Sequence, residues 1–84
     1  MADRGNWLAK ARAKKAGWRA SEIARLYRAW GFREEPGGRD TKYVHKDHAE
    51  LIAYVTRSSE EISKGYVSDA LELMEELLRR GYEV

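Results

Sequence analysis

Phe32-Arg33-Glu34-Glu35-Pro36-Gly37-Gly38-Arg39-Asp40-Thr41-Lys42-Tyr43-Val44-His45 decides how this chain folds. Pro36-Gly37-Gly38 is its only Pro/Gly cluster, so residues 36–40 read as a turn. On one side, Phe32–Glu35 is short and weakly strand-like. On the other, Thr41–His45 is β-branched and aromatic and reads as a strand. Period two puts Thr41, Tyr43 and His45 on one face and Lys42 and Val44 on the other. Further on, Lys46–Ala49 makes a polar turn, and Leu51–Thr56 is the clearest strand of the chain. Leu51–Val55 is apolar without alternation, which predicts that both faces of this strand are at least partly covered.

Helices flank this meander. Ile23, Leu26, Tyr27 and Trp30 recur at i, i+3, i+4, i+7, with Ser21 placed to cap the helix and Gly31 to end it. After the polar stretch Arg57–Lys64, a second helix is expected to start near Tyr66. Its broad apolar face is Val67, Ala70, Leu71, Met74, Leu77 and Leu78. Asp69 in the first turn, Arg79-Arg80 in the last and Gly81 beyond suit its ends. Residues 1–20 read as a basic N-terminal extension, with a short helix around Trp7, Leu8 and Ala11 that Gly17 breaks. Residues 21–84 read as a single α+β domain of order α-β-β-β-α, a three-stranded antiparallel sheet packed by two helices. Its expected core is Ile23, Leu26, Trp30, Tyr43, Leu51, Ala53, Val55, Val67, Leu71 and Met74. This is the order of double-stranded-RNA-binding domains.

Composition narrows the function. Eighty-four residues allow one modest core, and 36% charged with 43% hydrophobic residues suits a small globule. The absence of cysteine excludes a disulfide scaffold or thiolate metal site and fits a reducing cytoplasm. The longest apolar run is five residues, too short for a membrane span, and the N-terminus lacks the apolar segment of a secretory signal. The net charge of +2 conceals an asymmetry: residues 1–33 carry nine Lys/Arg against Asp3 and Glu22, whereas residues 34–84 carry seven against twelve Asp/Glu. A basic half is an electrostatic footprint for phosphate if the fold gathers it on one face. Otherwise it is a solvated surface attracted to the acidic half.

The quoted residues resemble the HicA (YcfA-like) toxin family, small bacterial mRNA interferases with a double-stranded-RNA-binding-like fold. The resemblance covers roughly residues 21–80. It rests on Gly31-Phe32 after the first helix, Tyr43 and His45 in the second strand, Leu51–Thr56, and Lys64-Gly65-Tyr66-Val67 at the start of the last helix. It implies an RNA-binding toxin of a toxin–antitoxin system, a cytoplasmic endoribonuclease (a hydrolase) that a HicB-like antitoxin neutralises. Gly38-Arg39-Asp40 stands where the family has Gly-Ser-His, so Asp40 occupies the catalytic His position, and no Pro follows His45. Those departures predict weakened or lost catalysis.

Metal-independent RNA cleavage needs a base for the 2′-hydroxyl and cations for the developing phosphate charge. Asp40 and His45 are the candidate bases. A carboxylate with pKa about 4 is weak for this step, and an imidazole titrates near neutrality. The alternatives are a turn-capping aspartate and a hydrogen-bonded core histidine. Lys10, Arg12, Lys14, Lys15, Arg19, Arg25, Arg28, Arg39, Lys42 and Lys64 are candidate RNA contacts, and Trp7 and Trp18 either stack on bases or pack. His45, Asp47 and His48 lack a fourth partner for a metal, so neither metal nor cofactor is expected. The acidic last helix (Asp69, Glu72, Glu75, Glu76) would repel RNA. It either binds a basic partner or is solvated. A nucleic-acid-binding module without activity and a protein-interaction domain, including a homodimer, are the other readings.

Overall fold

The structure, a computed structural model, describes residues 4–36, 38–57 and 60–83. Gly37 of the expected turn lies outside the described residues. The elements run α1 (Arg4–Ala13), α2 (Ala20–Ala29), β1 (Phe32–Glu35), β2 (Asp40–His45), β3 (Ile52–Thr56) and α3 (Lys64–Arg79). The expected α-β-β-β-α order is present, preceded by a helix. The sheet is antiparallel with β2 central. Phe32 lies opposite His45, and Tyr43 opposite Ala53.

Alternation fixes which sheet face is buried. Phe32, Tyr43, His45, Ala53 and Val55 are buried, all on one face. The other face carries Arg33, Glu35, Lys42, Ile52 and Tyr54, with Val44 buried between its cross-strand partners Arg33 and Ile52. β3 was expected to be at least partly covered on both faces: Ala53 and Val55 are buried on one, and on the other Ile52 and Tyr54, 40% and 58% exposed, are partly covered. Asp40, expected in the turn, is the first residue of β2, paired with Thr56.

Every expected core residue is buried. On α2, Ile23, Leu26 and Tyr27 point inward as their spacing dictates. Tyr27 stacks on Tyr43 with centroids 4.6 Å apart and meets Phe32 edge-on at 5.0 Å. Ser21 does not cap this helix. The N-cap is Arg19, whose backbone N–H donates to Glu22 Oε1 at 3.1 Å. Glu22 in turn accepts from Lys10 Nζ, and chiefly that bond holds its carboxyl below the usual range. α3 begins two residues earlier than expected, where Ser63 Oγ accepts from the Gly65 N–H at 3.2 Å. Asp69 therefore lies beyond the first turn.

Residues 4–20 do not stand apart as an extension. α1 is a helix, as expected, but Leu8, Ala11 and Trp18 are buried in the same core as the sheet and the other helices. α1 runs antiparallel to α2: Arg4 Nε donates to Ala29 O, and Lys10 pairs with Glu22. It is likewise antiparallel to α3: Arg4 donates to Glu83 O, and Arg12 faces Glu75. Trp18 is 2% exposed, and its indole N–H donates to Lys14 O at 2.8 Å. The Trp18 carbonyl accepts from the Ile62 N–H at 2.8 Å beside a bridge between Arg19 and Glu61. Ile62, inside a stretch that reads as polar, is buried there. Burying each such side chain stabilises the fold by about 1.5–3 kcal/mol, so α1 is part of what lets so short a chain fold.

Candidate nucleic-acid interface

His45 sits at the end of β2 and is 1% exposed. Its Nε2–H donates to Trp30 O at 2.9 Å, and its Nδ1 accepts from the Asp47 N–H at 3.1 Å. Those two bonds specify the neutral Nε2–H tautomer and occupy both ring nitrogens. The rings of Phe32, His48 and Tyr82 surround it. Burial, above all, holds its pKa below the usual histidine value, and nearby Lys46 and His48 add to that. The ring can neither reach a 2′-hydroxyl nor accept its proton without breaking the Asp47 bond. The expected catalytic role is therefore corrected: His45 is a core histidine.

Asp40 is exposed at the other end of the strand. Five residues of extended chain put it about 17 Å from His45. The odd spacing also turns the two side chains to opposite faces. They form no joint acid–base site.

The aromatic candidates are also spoken for. Trp18 is core, and Trp7 packs against it at 5.9 Å. Lys10 Nζ lies over both rings. Neither indole is offered for stacking on a base. The triad His45, Asp47 and His48 is held by other contacts: Asp47 accepts from Tyr82 Oη at 3.0 Å, and His48 Nδ1 faces Arg80 at 3.1 Å.

Apart from Arg19, which caps α2, the basic candidates divide into two groups. Lys10 pairs with Glu22 at 2.6 Å, Arg12 with Glu75 at 4.0 Å, Arg28 with Glu34 at 3.0 Å and Lys42 with Glu35 at 3.8 Å. Arg12–Glu75 and Arg28–Glu34 join the basic and acidic halves, whereas Lys10–Glu22 and Lys42–Glu35 each lie within one half. By contrast, the side chains of Lys14, Lys15, Arg25, Arg39 and Lys64 make no ion pair among the described residues, and all five residues are exposed.

Topology gathers most of that second group. The Trp18–Ile62 bond sets the starts of α2 and α3 side by side. The Tyr27–Phe32 and Arg28–Glu34 contacts pack β1 against the last turn of α2. Lys14, Lys15, Arg19 and Lys64 thus share the end where two helix N-termini present backbone N–H groups. Glu22, Glu60 and Glu61 are interspersed there. Arg39, with Asp40 beside it, stands on the β1–β2 turn, and Arg25 further along α2. Spacing alone offers no hint of this end, because the cations come from separate segments.

Sequence reasoning also missed a groove beside β3. Its strand wall bears Ile52 and Tyr54, and its helix wall is the acidic flank of α3. No helix among the described residues is long and apolar enough to cross a membrane. Comparison with protein-family models, curated proteins and solved structures gave no match to this chain.

Proposed function

We propose that this chain is an RNA-binding module of HicA-like type that holds RNA without cutting it. One observation carries the reading: Lys14, Lys15 and Lys64 make no ion pair among the described residues and share the end where α2 and α3 begin. Cations and helix N-termini there favour phosphate, and neither component reads sequence. The loss of catalysis follows from chemistry. Strand-end His45 is buried and neutral, and Asp40 is exposed and isolated from it.

The test is fluorescence anisotropy of labelled single- and double-stranded RNA at low and moderate salt, with gel analysis of the same samples. Binding that weakens steeply with salt and leaves the RNA intact is the expected result. Cleavage that tracks the purified protein would overturn the inactive reading. Absence of binding at low salt would remove RNA altogether and leave a protein-interaction domain. The resemblance names a HicB-like antitoxin as the protein partner, and co-purification with the product of a neighbouring short reading frame tests that separately.

A further inference from the structure

β3 is an edge strand, hydrogen-bonded to β2 on one side alone. Natural edges are usually blunted by charge, proline or a bulge. β3, Ile52-Ala53-Tyr54-Val55-Thr56, carries neither charge nor proline. Beside it runs a groove of about 570 Å³ between the strand and α3. Ala53, which faces the core, and Ile52 and Tyr54, which face the open side, all line it, so the groove includes the strand's free backbone edge. Its far wall carries Asp69, Glu72 and Glu76, spaced i, i+3, i+7 along one face of α3. Glu76 is held by Arg79 and Arg80, whereas Asp69 and Glu72 have no cationic partner among the described residues.

We propose that this groove takes an extended basic segment of a partner protein, added as a fourth strand along β3. Main-chain hydrogen bonds to the free edge would hold it, and alternation would select it. Side chains on its helix side meet Asp69 and Glu72, which calls for Lys or Arg at every second position. Those between them lie over the open sheet face next to Ile52 and Tyr54, which calls for apolar or aromatic residues. A second copy of this chain is disfavoured. Pairing β3 with β3 across a two-fold axis normal to the sheet would bring the two acidic flanks together. RNA is repelled by the same carboxylates. The inference does not depend on RNA binding at the cations where α2 and α3 begin.

The probe is the capped peptide Lys-Val-Lys-Ile-Lys-Tyr, about one strand in length, titrated into the full chain and followed by amide NMR shifts. The expected result is saturable shifts at 52–56 that weaken about ten-fold in the doubly substituted Asp69→Asn, Glu72→Gln chain and in higher salt. Both positions are exposed, so that variant keeps its fold. A peptide of the same composition with its lysines in one block should bind about ten-fold more weakly, because it cannot alternate. The proposal is overturned by no shift at 52–56, by equal affinity for the neutralised variant, or by equal binding of the blocked peptide. Sedimentation showing a dimer that Tyr54→Lys dissolves would overturn it in favour of a second copy.

Discussion

A Cβ placed on Gly31 would lie 2.9 Å from Nε2 of His45 and 3.0 Å from the Tyr82 hydroxyl. Gly31 has φ +90°, a region that other residues enter at a cost. The turn between α2 and β1 is therefore pressed against the histidine that closes β2. Gly31→Ala should destabilise the chain by about 2–3 kcal/mol, from backbone strain plus displacement of the His45 ring. Urea denaturation checks this. A loss below about 0.5 kcal/mol would show that neither the backbone at residue 31 nor the ring resists the added methyl group.

His45 itself makes stability depend on pH. Its folded pKa lies below the ordinary histidine value of 6.5, so between the two values the unfolded chain binds more protons. Stability is then complete above about pH 6.5 and falls as pH drops through that value toward the folded one. The charges of His48 and Lys46 add to that lowering and that of Asp47 opposes it. Urea midpoints taken from about pH 8 down to pH 5 should decline, and His45→Asn should flatten the slope between about pH 6.5 and 5. An equal slope in the variant would assign the dependence to other groups.

Trp18 ties the N-terminal helix to the rest. Trp18→Ala removes a buried indole and orphans its bond to Lys14 O, with an expected cost of about 3–5 kcal/mol. A chain starting at residue 21 loses Leu8 and Ala11 as well and should not fold. Circular dichroism and dispersion of amide NMR signals read this directly. A cooperatively folded 21–84 fragment would restore the N-terminal segment to the status of an appendage.

The two groups of cations should behave differently toward RNA. Replacing Lys14, Lys15 and Lys64 by Gln should weaken binding and lower the salt slope by about 0.7–0.9 for each phosphate no longer neutralised. Replacing Arg12 and Lys42, which already face Glu75 and Glu35, should change the slope little. Anisotropy titrations at several salt concentrations separate the outcomes. Equal losses from both sets would mean a diffuse basic surface with no preferred end.

Periodicity made the helices and strands of residues 21–80 legible, since apolar spacing records which face is buried. It was blind to Ile62, a lone apolar residue among polar neighbours, because a single buried side chain has no period. It could not tell how far Ile52 and Tyr54 are covered, for the opposite reason. An apolar residue on an open face looks the same in sequence as one that is covered. The role of His45 turned on whether its strand face met helices or water, and only the register with Phe32 and the packing of Tyr82 decide that. Ser21 lost the cap of α2 to Arg19 because Glu22 reaches back to the Arg19 N–H, so the helix starts one residue before Ser21.

The pairing of α1 with α3, with Arg4 reaching Glu83, joins segments from opposite ends of the described chain. During synthesis α1 emerges well before α3, yet α3 supplies part of the surface that buries Leu8 and Ala11. The core cannot close until α3 has cleared the exit tunnel. Until then the nascent chain shows its most basic stretch without the acidic helix that tempers it.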